Sequence, residues 1–294
     1  MKIIITGSTG FIGSAFFKKF KSKYDFYFIL NKNLKKIHNK KKSFKYDNNV
    51  HELKKFFIKI KPDAVIHFAS CFKAEHNINN IDNILNTNII FATHLLECMT
   101  HSGCKKFINA GTIWQNYKTK KYNPVCLYAA SKQAFQDIEK YYFEVMNISF
   151  INLKIYDTYG PNDFRGKVVQ FLLNQNNSKK IIKMGNGDQI LNLVYIDDII
   201  NAFNIAIKKI LKSKKPFFKT YSLPGNKKIK LFDLVKLIRQ LFNKNLNVKW
   251  NVLPNRKREI LKNNSDITSL PGWKAKVLLE SGLIKLKNEL PKIK

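Results

Sequence analysis

The chain has 294 residues, enough for about two ordinary domains or one large α/β unit. Its 53 Lys and Arg against 20 Asp and Glu give a formal charge of +33. A hydrophobic content of 45%, with 23 Phe and 12 Tyr, excludes a largely disordered chain, and no apolar run approaches the ~18 residues of a membrane span. All but four of the cations are lysine, the exceptions being Arg165, Arg239, Arg256 and Arg258. Nucleic-acid readers favour the bidentate guanidinium, so the charge reads as a solvated basic surface that attracts acidic small molecules. No nucleic-acid partner and no membrane are expected. Cys71, Cys98, Cys104 and Cys126 show neither metal-ligand nor disulfide-framework spacing. They read as reduced thiols of a cytoplasmic enzyme without a metal.

The predicted elements begin with a buried strand at 3–6, and the apolar stretch of MKIIITG is strand and turn, not a signal peptide. A glycine turn and a helix through Phe16, Phe17 and Phe20 follow, then strands at 26–30, 62–69 and 106–110. A long helical pattern runs over 81–100, a further helix over 128–145, and a strand over 149–154. Strands alternating with helices imply a parallel sheet covered on both faces. The rhythm breaks after Tyr159-Gly160-Pro161. A helix near 167–174, a strand near 181–184 and the turn 185–188 precede a strand at 191–196 and a helix at 197–209, with a last amphipathic helix at 231–242. The expected plan is α/β: a Rossmann-type doubly wound sheet over residues 1–160, to which 190–210 return, and a smaller substrate lobe from 161–189 and 211–294.

Thr6-Gly7-Ser8-Thr9-Gly10-Phe11-Ile12-Gly13 stands between the first strand and first helix, the setting that a dinucleotide fingerprint requires. Gly7 permits the tight turn, Gly10 admits the pyrophosphate to the backbone, and Gly13 allows close helix–strand packing, with the helix N-terminus facing the phosphates. Enzymes for NAD usually offer an acid after the second strand, for the ribose 2′-hydroxyl. This chain has Asn31 and Lys32 in a lysine-rich stretch; lysines attract a 2′-phosphate, so NADP(H) is favoured over NAD(H). Asp47, next to Asn48 and ahead of the next helix, reads as an adenine-amine acceptor or as an ordinary helix cap.

Tyr128 and Lys132 lie four residues apart at the start of a helix, on one face. A fixed ammonium favours the phenolate and would bring the phenol toward neutrality, which suits a general acid–base group. Thr112, just past the strand 106–110, can offer its hydroxyl to the same substrate oxygen. His67 reads as a satisfied core residue and Asp197-Asp198 as the cap of the following helix.

Taken together, TGSTGFIG at 6–13, PDAVIHFAS at 62–70, Asn88 with LLE at 95–97, Thr112/Tyr128/Lys132, YDTYGPND at 156–163, GNGDQ at 185–189, VYIDD at 194–198 and GWKAKVLLESGL at 272–283 resemble the extended short-chain dehydrogenase/reductases, the NAD-dependent epimerase/dehydratase group acting on nucleotide sugars. The resemblance covers nearly the whole chain. It implies that Gly7, Thr9, Gly10, Phe11, Ile12, Asn31, Lys32, Asp47, Asn48, Phe68, Ala69, Ser70 and Tyr156 line the cofactor. It implies that Asn88 supports Lys132 by hydrogen bonding, and that Thr112, Trp114, Asp157 and Arg256 meet the substrate. Dimerisation through two helices per subunit is a further implication. Within the group, LYAASKQAF, YYFE, ISFINLKIYDTYGPND and NRKREI are most similar to abequose and paratose synthases, 4-reductases for CDP-linked 3,6-dideoxy-4-keto sugars, which serve surface-polysaccharide synthesis. Three positions depart from the pattern: Leu191 and Lys154 stand where Arg is common, and Phe91 where glycine is frequent. Ile113-Trp114-Gln115 after Thr112 lacks the acid pair of dehydratases. The expected reaction is reduction of a nucleotide-linked C4 ketone by NADPH. A 4-epimerase holding NAD tightly is the alternative, and an idle RNA-binding member of the fold a remote one.

Overall fold

Ile3, Ile4 and Ile5 have no exposed surface, and they occupy the middle of the molecule in β1 (Lys2–Thr6). Ile3 and Ile5 pack on one face of the sheet with Phe16 and Phe203, while Ile4 packs on the other with Leu53, Phe57 and Phe107. Side chains on a strand alternate between faces, so an unbroken apolar run requires cover on both sides. The structure is a computed structural model, and it describes residues 1–31, 40–117, 121–175, 181–254, 256–259 and 267–289.

β1 is joined by β2 (Asp25–Leu30), β3 (Ser43–Lys45), β4 (Ala64–His67), β5 (Lys106–Thr112), β6 (Ser149–Ile155) and β10 (Phe218–Leu223). They form one sheet in the order β10-β6-β5-β4-β1-β2-β3, and every pairing in it is parallel. This is the Rossmann-type doubly wound arrangement that the alternation implies. The strand order reverses between β1 and β4, and the crevice beyond their carboxyl ends is where such sheets take ligands. α1 (Phe11–Phe20) and α7 (Ile196–Lys212) cover one face; α2 (Val50–Ile60), α4 (Phe91–Ser102) and α5 (Leu127–Met146) cover the other. The long helix expected over 81–100 starts as α3 (Ile81–Leu85) and passes through a wide π turn at Asn86–Ile90 before continuing as α4. Such turns occur mostly at functional positions, and Asn88 sits inside this one.

A second layer holds β7 (Asp157–Tyr159), β9 (Ile190–Tyr195) and β11 (Lys228–Lys230) in a three-stranded sheet, and β8 (Ile182–Lys183) beside β12 (Val248–Lys249). α6 (Val168–Asn174), α8 (Leu231–Phe242) and α9 (Leu279–Glu289) pack around them. Two expectations about chain division are corrected. β10 lies within 211–294 and yet completes the large sheet, because its strand pairs with β6 from Phe218↔Phe150 to Leu223↔Ile155. Of 190–210, α7 returns to the large sheet, while β9 pairs with β7 and β11 instead.

Asp198 does not cap α7. Tyr195 occupies the cap position, without a side-chain bond. The Asp198 carboxylate is buried and accepts the backbone N–H groups of Lys276 at 3.0 Å and Val277 at 2.9 Å, while its carbonyl accepts Trp273 Nε1–H at 2.9 Å. An acid early in a helix can equally serve another segment, and here it ties down the stretch before α9. No described helix is long and apolar enough to cross a membrane.

Candidate active site

Gly7 has φ +69°, and a Cβ on it would lie 2.5 Å from the Ala69 nitrogen; a Cβ on Gly13 would lie 2.3 Å from the Gly7 carbonyl oxygen. The turn after β1 therefore touches both the loop after β4 and the helix it feeds, as the fingerprint requires. The first turn of α1 carries no acid, and its leading N–H groups have no intrahelical acceptor. Ser8 Oγ, also in this turn, is buried without a hydrogen-bond partner among the described residues. A glycine cradle, free amides and an orphaned hydroxyl fit the diphosphate of a dinucleotide.

A cleft of about 250 Å³ opens on one side of this turn, walled by Gly7, Thr9, Leu30, Asn31, Asn48 and Ala69, with Asn83, Asn86, Thr87 and Phe91 opposite. It has the place and the flat apolar walls for an adenosine, and its polar groups are neutral. Phe91, which stands where glycine is frequent, packs against Tyr46 with ring centres 4.6 Å apart and planes tilted by 40°. Asp47 is exposed and is not part of the wall; its carboxylate accepts the Asn49 N–H at 3.2 Å, and Asn49 caps α2. The helix-cap role read for Asp47 therefore falls to Asn49, two residues on. Lys32 lies outside the described residues.

On the other side a cleft of about 400 Å³ is bounded by Gly10, Phe11, Ile12, Phe68, Ser70 and Tyr156, together with Thr112, Trp114, Tyr128 and Asp157. β5 delivers Thr112 at its carboxyl end and α5 delivers Tyr128 in its first turn. The Tyr128 phenol shares this cleft with the side chains of Ser70 and Thr112, both of which favour its ionised form. Gln115 Oε1 accepts the Thr112 N–H at 3.1 Å, and the Thr112 hydroxyl oxygen accepts the Trp114 N–H at 3.3 Å, so the turn is fixed from both ends.

The electrostatics differ from the expectation of a phenol lowered by its neighbouring lysine. Burial pushes Tyr128 up to about 12; Ser70, then the Arg165 charge and Thr112, oppose that rise. Lys132 turns its ammonium away to Asn109 Oδ1, at 3.4 Å. Burial lowers Lys132 to about 8, and Glu139 partly restores it. Asn88 is likewise placed differently. It accepts Ser70 Oγ–H at 3.2 Å and the Cys71 N–H at 2.8 Å, and donates to Ser131 Oγ at 2.9 Å. No bond from Asn88 to Lys132 is formed among the described residues. Asn88 instead joins the Ser70 loop to α5, and so holds the phenol's neighbour in place.

A neighbouring space of about 310 Å³ shares Phe72, Trp114, Asp157 and Lys167 with this cleft and extends to Leu191, Arg256, Arg258 and Glu259. Its cations lie over aromatic rings: Lys167 Nζ is 4.3 Å from the Phe72 ring centre and 5.0 Å from that of Trp114, and the Arg256 guanidinium is 5.8 Å from Trp114. Lys167 also pairs with Asp157 at 3.7 Å, and Arg256 with Glu259 at 3.2 Å. Arg258 donates to the Pro124 carbonyl at 2.6 Å and to Asn123 Oδ1. These three cations and two aromatic rings thus line one space, the residue types that can meet an anion and a planar group. Among the described residues, no group of three or more His, Cys, Asp or Glu could hold a metal.

Residues 3–218 match the NAD dependent epimerase/dehydratase family. The chain belongs to that family. It is an extended short-chain dehydrogenase/reductase and an enzyme of the epimerase/dehydratase kind. Among curated relatives, it is 30% identical over 211 residues to CDP-abequose synthase of Yersinia pseudotuberculosis, covering 69% of this chain and 71% of that one. It is 31% identical over 243 residues to dTDP-D-glucose 4,6-dehydratase of Dictyostelium discoideum, covering 71% and 56%. UDP-glucose 4-epimerase of Thermotoga maritima, solved with UDP-glucose, superposes with a TM-score of 0.80 at 22% identity over 98% of both chains. UDP-glucuronic acid 4-epimerase of Bacillus cereus, solved with UDP-glucuronic acid and NAD, gives 0.82 at 20% identity over 98% of both. These two share the fold.

Sequence reasoning missed several residues that the family fold brings to the cleft. Arg165 donates to Asp163 at 2.7 Å and to the Thr158 carbonyl at 2.9 Å, with its guanidinium 4.5 Å from the Phe11 ring. Lys167 and Phe72 were hidden among many similar residues, and Arg258 lay unassigned in the NRKREI run; the YGPND segment just before Arg165 and Lys167 signals the place of those two. Asn109 and Glu139 carry no motif at all. Lys154 is buried and donates to Asn116 Oδ1 at 2.7 Å, and burial lowers it to about 8. His67 is only half satisfied, with Nδ1 against Thr6 Oγ1 at 2.8 Å and Nε2 without a partner among the described residues.

Proposed function

We propose that the protein reduces the C4 ketone of a nucleotide-linked 6-deoxy or 3,6-dideoxy 4-keto sugar with NADPH, in the making of a surface polysaccharide. The observation that carries this reading is the joining of Tyr128 and Thr112 at the reacting end of the cleft to a run of Ile113, Trp114 and Gln115 where dehydration would need an acid and a base. Asp157, the nearby carboxylate in the wall, is paired with Lys167.

The bound dinucleotide would supply the hydride. Gly7, Gly10 and the first turn of α1 hold its diphosphate, Asn31 and Asn48 face its adenosine, and Lys132 serves its nicotinamide ribose. Thr112 and Tyr128 both aim hydroxyl groups at the carbonyl oxygen. Tyr128 keeps its proton at neutral pH because burial holds it high, so it acts as the acid that protonates that oxygen as charge develops. Phe72 and Trp114 exclude water and offer an apolar face to deoxygenated sugar carbons. Lys167, Arg256 and Arg258 meet the diphosphate of the sugar nucleotide.

The neutral Asn31, in place of an acid, removes repulsion against a 2′-phosphate and supports NADPH. The family resemblance also supports a homodimer in the cytoplasm; Tyr141 and Val145 stand exposed on α5 for such a contact, and sedimentation would test it. A 4-epimerase is the second reading, favoured by the epimerases that share the fold. Protein, NADPH and a panel of CDP-, GDP- and dTDP-linked 4-keto sugars are mixed and absorbance is followed. Stoichiometric oxidation of NADPH supports reduction; NAD that copurifies, with interconversion of C4 epimers and no net oxidation, supports the epimerase.

A further inference from the structure

A line of polar residues crosses the large sheet where an apolar core would be expected. Thr6, His67, Asn109, Asn152 and Thr220 are successive register partners on β1, β4, β5, β6 and β10. They share a face with Phe107 and Phe150, and α5 lies over it with Phe135. From α5 two charged residues seven apart point into this layer: Lys132 is 1% exposed and Glu139 not at all. Two turns of helix bring such residues to the same face. Asn109 stands between them. Its Oδ1 accepts the Lys132 ammonium at 3.4 Å, and its Nδ2 donates to Glu139 Oε1 at 2.8 Å and to Asn152 Oδ1 at 3.0 Å.

We propose that Glu139 is a positioning residue for the reaction, acting through Asn109 on Lys132: its carboxyl fixes where the Lys132 ammonium sits and sets how firmly that ammonium holds its proton. This rests on Lys132 serving the cofactor as argued above.

A purely structural role fits the arrangement poorly. Replacing a buried ionic cluster with apolar side chains is often neutral or stabilising, and this cluster is not built for full satisfaction. Glu139 Oε2 and Asn152 Nδ2 have no aligned hydrogen-bond partner among the described residues. The charged groups facing the pair are few. Lys132 and Glu139 act on each other, Asp137 on α5 acts on Glu139, and Lys132 holds His67 on β4 in its neutral form, which burial already favours. Burial raises Glu139 to about 8 against the pull of Asn152, Lys132 and Asn109. Burial thus moves Glu139 up and Lys132 down, toward each other, and groups joined in this way through Asn109 titrate as a coupled pair.

The test is made on the full chain without cofactor or substrate. The Cε signal of Lys132 is followed against pH by 13C NMR and assigned by its loss in Lys132→Met. In Glu139→Gln the Lys132 midpoint is expected to fall by about one pH unit, a tenfold weaker hold on the proton; an unchanged midpoint overturns the proposal. Should Glu139→Gln not fold, infrared titration of the wild type decides. A buried carboxyl band that persists above pH 6 and disappears over the range of the Lys132 transition supports the coupling, and its absence overturns it. In turnover, Glu139→Gln is expected to lower kcat about tenfold and shift its pH profile to lower pH, with KM for the sugar nucleotide retained. If the wild type turns over no 4-keto sugar, the proposed function fails, while the titration still judges the pair.

Discussion

The two ends of the cleft are built from different chemistry. At the adenosine end the wall is a glycine turn, apolar side chains and neutral amides from Asn31, Asn48, Asn83 and Asn86. At the reacting end, Lys167, Arg165, Arg256 and Arg258 gather over aromatic rings, and Lys132, Glu139 and Lys154 are buried beneath. On the proposed function, the first end takes the cofactor by shape and backbone amides, and charge is concentrated where the sugar-nucleotide diphosphate and the reacting oxygen would sit.

The strongest challenge to this contrast is Tyr128→Phe, which keeps the ring and removes the acid. A loss of about 10²–10⁴ in kcat is expected, read by NADPH oxidation with a 4-keto sugar nucleotide; unchanged turnover would defeat the assignment. Buried charge at the reacting end should next show in stability. Lys154 binds fewer protons folded than unfolded between about pH 8 and its ordinary 10.5, so its contribution to unfolding free energy rises with pH across that window. Below pH 8 both states are protonated and the cost of burial is constant. Urea unfolding should find Lys154→Met gaining about 3 kcal/mol on the wild type at pH 7 relative to pH 10.5; parallel curves would show that the ammonium is not desolvated. Arg256→Met is expected to raise KM for the sugar nucleotide about tenfold, with kcat preserved and a weaker salt dependence. The smallest effect sharpens the neutral end: Asn31→Asp should raise KM for NADPH roughly fivefold, by ~1 kcal/mol of repulsion, and leave NADH nearly untouched. Equal effects on both would remove the 2′-phosphate from that position.

Much of the large sheet is legible in the sequence because its strands are short, largely apolar runs, as at 3–6 and 64–69, separated by helices of the right length. β10 is not legible: FKTYSL carries Lys219 and Thr220 because it is the last strand at the β6 edge. The glycine turn, Tyr128 and Thr112 follow from spacing that local geometry enforces. Lys132 was found by the same spacing, but its partner was not. Asn109 comes from a strand 23 residues away, and the phenol's neighbour Ser70 from a loop farther still. The fate of Asp198 was equally hidden, since helix-start acids look alike whether they serve their own helix or a distant segment.

That last contact bears on how the molecule is made. Asp198 is completed by amides 78 and 79 residues later, each such bond to a carboxylate contributing about 1.5–3 kcal/mol. During synthesis, α7 therefore leaves the ribosome with that carboxylate still hydrated, and its tie to the stretch before α9 forms only once residues 276 and 277 have been made. A chain stopped short of Trp273 should stay open to proteases at α7, although every residue of the glycine turn would be present.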